Sequence, residues 1–185
     1  ANGGEGYFWS FRTSGCASGL CVTVRDSDDN LVPYADVAAY TDLNYYPSRS
    51  GSTDDSGYVQ LDVETGTYTL IVSSMDANFV VVKPVSAPSA VTVDPSETVT
   101  VTVTAKKKDG SALQDAAISA NLTPYTPGLI GFTDGSGVFS GKITPNRTYA
   151  FSAVSLFGDD KYFLGKPGVN ITSETAVDLF AHDMP

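Results

Sequence analysis

Thr53-Asp54-Asp55-Ser56-Gly57-Tyr58-Val59 occurs twice in this chain, returning as Thr133-Asp134-Gly135-Ser136-Gly137-Val138-Phe139. Each copy of the shared pattern, T-D-x-S-G, opens an alternating apolar run. Asp and Ser close tight turns through side-chain bonds to the backbone, and Gly accepts a positive φ, so the chain reverses there. A turn, an aromatic and a second alternating run follow both copies. They read Gly66-Thr67-Tyr68-Thr69-Leu70-Ile71-Val72 and Asn146-Arg147-Thr148-Tyr149-Ala150-Phe151-Ser152. The nearly constant offset marks two copies of one structural unit. Such a unit is scaffold before it is a site.

Working outward, the pattern predicts strands near 20–25, 35–40, 58–63, 67–73, 79–84, 90–93 and 97–105. A second set is predicted near 115–121, 137–143, 148–155, 161–165 and 174–180. Residues 41–52 read as a polar loop. Val99-Thr100-Val101-Thr102-Val103-Thr104 alternates strictly, which gives one apolar and one hydroxylated face. Val, Ala, Tyr and Phe embedded in Thr and Ser are strand composition, and no window holds a helical period. Strands at this spacing with turn signals between them predict an all-β protein of antiparallel sandwiches. The expected division is a segment at 1–19 and two modules, 20–95 and 96–185.

The first segment joins a Gly-rich lead to Tyr7-Phe8-Trp9-Ser10-Phe11. Burying each of these aromatics contributes about 1.5–3 kcal/mol, so a strand completing a sheet is expected. That sheet belongs either to the same chain or to a neighbouring subunit. Donation to the next molecule would satisfy an open edge and, because it does not close, would build a fibre.

A net charge of −10 excludes a general nucleic-acid binder and disfavours an anionic membrane surface. No run reaches the roughly 18 apolar residues of a membrane span. The N-terminus is not a basic-then-apolar leader, so any secretion signal is expected to have been removed. Cys16 and Cys21 suit a small disulfide loop, with free thiols as the alternative; the bridge implies an oxidising, extracellular setting. Zinc would want more ligands, and the single histidine is His182. Asn121, Asn146 and Asn170 each begin an N-x-[ST] sequon at an expected strand end and are candidate glycan acceptors.

The chain has no G-x-S-x-G, no H-E-x-x-H and no phosphate cradle, and His182 reads as a tail residue. Asp26-Ser27-Asp28-Asp29-Asn30 makes Asp26, Asp28 and Asp29 weak calcium candidates, the one cofactor the sequence suggests. Leu31 stands where a calcium loop has Gly, and no Glu follows at the right distance, so a plain hairpin turn is the first reading. Asp54-Asp55 and Asp159-Asp160 are fainter candidates. Tyr45 and Tyr46, beside Asn44 and Arg49, suit either a carbohydrate-stacking platform or ordinary loop packing.

The first unit also carries Asp29, Pro33, Ala35 and Val37 ahead of Thr53, Asp54, Gly57 and Tyr58, then Gly66, Tyr68, Leu70 and Val72. The second carries Asp109, Gly110, Ala116 and Ile118, then Thr133, Asp134, Gly137, Phe139, Tyr149, Phe151 and Ala153. Together these resemble Ig-like, transthyretin-like modules of the carboxypeptidase-regulatory and collagen-adhesin B type, across about residues 20–180. Asn30 departs from the usual Gly, and the second unit lacks the Pro. The resemblance implies a non-catalytic module of a stalk, adhesin, filament or accessory domain. In some such modules a Lys–Asn isopeptide bond forms beside a buried acid. Lys106, Lys107 and Lys108 fall near the right place, but the Tyr149 strand carries no carboxylate and Glu174 is a poor substitute, so a solvated basic turn is expected. The expectation is a secreted or cell-surface structural protein that self-associates into a homopolymer. The alternative is an accessory region of a secreted hydrolase that binds polysaccharide or protein.

Overall fold

The computed structural model describes residues 16–126, 128–156 and 161–181. The first unit's strands are β1 (Leu20–Val24), β2 (Asp36–Tyr40), β3 (Arg49–Ser52), β4 (Tyr58–Leu61), β5 (Gly66–Ser74), β6 (Phe79–Ala87) and β7 (Ser89–Val93). The second unit's are β8 (Val99–Lys106), β9 (Ala117–Asn121), β10 (Leu129–Phe132), β11 (Val138–Ile143), β12 (Arg147–Ser155), β13 (Tyr162–Ile171) and β14 (Thr175–Phe180). A 3-10 turn, Pro95–Glu97, separates the two sets; the Asp94 side chain caps it by accepting from the Ser96 amide at 2.8 Å. No helix among the described residues is long and apolar enough to cross a membrane.

Strand order repeats unit for unit. Sheet β4-β1-β7 has its counterpart in β11-β8-β14, and β3-β2-β5-β6 in β10-β9-β12-β13. The units are then fused. β11 pairs in parallel with the edge of β6, Lys142 opposite Phe79 and Ile143 opposite Val80, so one sheet runs through seven strands as β14-β8-β11-β6-β5-β2-β3.

Alternation along the strands decides what lies on each face of this sheet. Val37, Leu70, Val72 and Phe79 face Leu20, Val22 and Val24 of β1 in the first core. Their sequence neighbours Ala38, Ile71, Val80 and Val82 point the opposite way and join Ile118, Ile130, Phe139 and Phe151 in the second. The central strands are therefore covered on both sides. That accounts for the unbroken apolar run Phe79-Val80-Val81-Val82, which a half-exposed strand would not need.

The strands depart from the sequence reading in three places. Arg49–Ser52 and Leu129–Phe132 are short edge strands inside stretches without a strand pattern, and the first lies in the expected loop at 41–52. β13 continues to Ile171 through Lys166-Pro167-Gly168, a stretch that resembles a turn. β8 begins at Val99 because Pro95–Glu97 is taken by the 3-10 turn.

Candidate functional site

The duplicated turns are alike down to single hydrogen bonds. The Asp134 carboxylate accepts from the Ser136 amide at 2.9 Å, the Ser136 hydroxyl at 2.7 Å and the Val138 amide at 2.9 Å. Asp54 accepts the same three bonds from Ser56 and Tyr58 at 2.9, 2.6 and 3.0 Å. These donors, the Ser136 side chain first, hold the Asp134 carboxyl below its ordinary value. Gly137 sits at φ 75°, where a Cβ would lie 2.5 Å from the Ala105 carbonyl. Just before each turn a buried threonine bridges two backbone groups. Thr133 Oγ1 donates to the Leu113 carbonyl at 2.6 Å and accepts from the Ala116 amide at 2.9 Å. Thr53 does the same with Val32 and Ala35 at 2.8 and 2.9 Å. Both motifs are structural.

Among the calcium candidates, Asp26 Oδ1 accepts from the amides of Asp28 and Asn30 at 2.8 and 2.9 Å, and Oδ2 accepts from the Asn30 side chain at 3.1 Å. The Asn30 bonds, its side chain first, hold the Asp26 carboxyl below its usual value. Asp29 pairs with Arg25 at 3.3 Å. Among the described residues no three His, Cys, Asp or Glu side chains gather in a way that could hold a metal ion. Cys16 and Cys21 are joined in a disulfide, Cα atoms 5.6 Å apart, at the foot of β1. Asn146 and Asn170 are exposed, whereas Asn121 is half-buried and its amide donates to the Thr126 carbonyl at 2.6 Å. Lys106 and Lys107 reach over the rings of Phe180 and Tyr162, 6.0 and 5.8 Å from their centroids. No described Asp or Glu is buried. Tyr7, Phe8, Trp9 and Phe11, with Asp159, Asp160 and His182, lie outside the described residues.

The loop tyrosines lie where the units meet. Tyr46 packs its ring against Tyr125 of the second unit, centroids 5.1 Å apart, and Tyr45 is 69% exposed. The Tyr40 hydroxyl, its ionisation pushed up by burial, donates to the Tyr125 carbonyl at 2.7 Å. Thr123 Oγ1 donates to the Leu43 carbonyl at 2.7 Å. Beside this contact an open groove of about 320 Å³ is lined by Asp36, Tyr40, Ser50, Ser52 and Tyr125, among others. At the sheet junction the Lys142 amide donates to the Asn78 carbonyl at 2.8 Å, and the Asn78 side chain reaches the Ile130 carbonyl at 3.2 Å. A Cβ on Gly141 would lie 2.8 Å from the Asn78 carbonyl, so a glycine permits the approach. Sequence reading missed Asn78, Thr123, Tyr125, Gly141 and Lys142. The doubly apolar run at Phe79 was the one signal pointing to a covered outer face.

The sequence matches no protein-family model and no curated protein. Among solved structures the chain is similar to a shaft pilin, SpaA from Lactobacillus rhamnosus GG, at 12% identity and a TM-score of 0.34, covering 91% of this chain and 100% of that one. It is also similar to the TIE protein of Bacillus anthracis, at 16% identity and a TM-score of 0.34 over 89% of this chain; it spans about a third of that chain (33%). A streptococcal ancillary pilin overlays at 10% identity and a TM-score of 0.27, over 90% of this chain and 63% of that one. No residue role transfers from overlays at these scores.

Proposed function

We propose that this chain is a non-catalytic structural subunit of an extracellular surface assembly, a filament or stalk, with modules at 20–95 and 96–185. The reading rests on the seven-stranded sheet and shared core, which carry force through backbone hydrogen bonds and packed side chains rather than a linker. The aromatic segment Tyr7, Phe8, Trp9 and Phe11 donates a strand to the next subunit, and Asn146 and Asn170 carry glycans where the source supplies them. Negative-stain imaging of native material is expected to show filaments. Sizing the chain with and without residues 1–12 tests the donated strand. Compact monomers in both cases, with no filaments in native material, would sink the proposal.

The groove lined by Asp36, Ser50, Ser52 and Tyr125 favours a second reading, a polysaccharide-binding accessory region. Calorimetric titration with soluble cell-wall and plant polysaccharides is its test. Heat lost on Tyr125→Ala would support it, and no heat from any would remove it.

A further inference from the structure

The internal duplication says how one copy of this chain would meet the next. Within the chain, the second unit sits on the first by its β10–β11 corner: β11 pairs with the β6 edge and β10 packs over β5. By strand order and register, β13 is the second unit's counterpart of β6, and β3 and β4 are the first unit's counterparts of β10 and β11. Among the described residues β13 pairs with β12 alone and β4 with β1 alone. Both halves of the junction therefore recur at opposite ends of the molecule, each at a sheet edge with no further strand beside it among the described residues, and with Leu61 where the internal junction has Gly141.

The side chains at those ends fit that relation. Val80, buried in the junction, corresponds to Phe163, which is 76% exposed. Tyr125, which packs against the first unit, corresponds to Tyr45, which is 69% exposed. The outward face of the second four-stranded sheet carries Ala117, Ser119, Phe132, Ser152, Val154 and Phe163, without a charge. Charge adds direction. Residues 20–95 hold three basic and eleven acidic side chains; residues 96–185 hold seven and nine. Where the internal junction places Lys142 beside Asn78, the corresponding positions are Asp62 on the first unit and Lys161 on the second.

We infer that the β13 edge and the outward face around Phe163 dock the β3–β4 end of a second copy of this chain, Asp62 beside Lys161, as the chain's own second unit docks on its first. This rests on the filament reading and names its contact surface. The contact is head to tail and does not close, so it propagates. It joins the four-stranded sheet β10-β9-β12-β13 of one molecule to the sheet β4-β1-β7 of the next, repeating between molecules the seven-stranded arrangement found inside the chain, and the opposed charges set its polarity.

Sedimentation velocity on the full-length chain over rising concentration tests it, with melting curves to confirm that each variant is folded. Asp62→Lys and Lys161→Glu are each expected to weaken association about tenfold at low salt, and the double variant to restore it. Phe163→Lys is expected to weaken it at any salt. Association unchanged in all three single variants would overturn the docking. If deleting residues 1–12 then abolished it, the filament reading would survive with the N-terminal strand as connector. A wild-type chain that stays monomeric at every concentration would overturn both.

Discussion

At the residue scale, Thr133 and Thr53 show how one hydroxyl holds a repeated fold together. Each donates to a buried carbonyl and accepts from a buried amide. Thr133→Val keeps the shape and strands both, at about 1–3 kcal/mol per unsatisfied group, so a loss of about 2–6 kcal/mol is expected in urea denaturation. A change under about 0.5 kcal/mol would mean the turn relaxes to find other partners. Thr133→Ser should recover most of the loss. The carboxylates that close the turns govern the acid limb. Hydrogen bonds lower Asp26, Asp109 and Asp134, and likewise Asp94 at its cap. A group whose folded value is depressed stabilises the fold above its unfolded value and loses that contribution as pH falls through the folded one. The melting temperature should stay level from pH 7 to about 5 and fall below about 4, less steeply in Asp134→Asn. A fall mainly between pH 7 and 5 would contradict this. The Asp134 bonds were legible in the sequence because they span two to four residues. The threonine bridges, reaching 20 residues back, were not.

At the element scale, the strands that sequence reading caught are those whose alternation faces one core, such as β8, with Val101 and Val103 buried and Thr102 half-exposed between them. β3 escaped because Arg49-Ser50-Gly51-Ser52 lies at a sheet edge, where polar side chains satisfy the geometry and leave no apolar period. β13 looked shorter because Pro167 is usually read as a strand breaker, yet an edge strand tolerates a missing amide. The Tyr46–Tyr125 contact was half legible: the loop tyrosines stood out, but a partner 79 residues away leaves no local pattern. The β6–β11 pairing, invisible for the same reason, is the element most open to a direct test. Gly141→Val would place a branched side chain against the Phe139 ring and the Asn78 carbonyl and is expected to cost about 1–3 kcal/mol. Hydrogen exchange should quicken at the Lys142 and Thr144 amides, which donate to Asn78 and Val80, while the Gly57 amide stays protected. Unchanged exchange at Lys142 would mean the strands meet without bonding.

At the scale of the whole molecule, the question is whether duplicated units behave as two modules or one. Independent sandwiches would each bury one face of a sheet and leave the other to water. Here Ala38, Tyr40, Ile71, Val80 and Val82 of the first unit belong to the second unit's core, and their exposure on separation would cost more than a linker could tolerate. Ile71 is wholly buried and belongs to the first unit by sequence. Truncating it to Ala removes about 2–5 kcal/mol from a core both units need. Two consequences follow for calorimetry of the full chain. Wild type should melt in one transition whose calorimetric and van't Hoff enthalpies agree, as cooperative unfolding requires. Ile71→Ala should move that whole transition down, and exchange at Ile118 and Phe151, both second-unit strand residues, should quicken with it. Two resolved transitions, only the lower one shifting in the variant, would mean that the shared sheet is a contact between finished domains. The fused core would then be the wrong account of how this chain holds its shape.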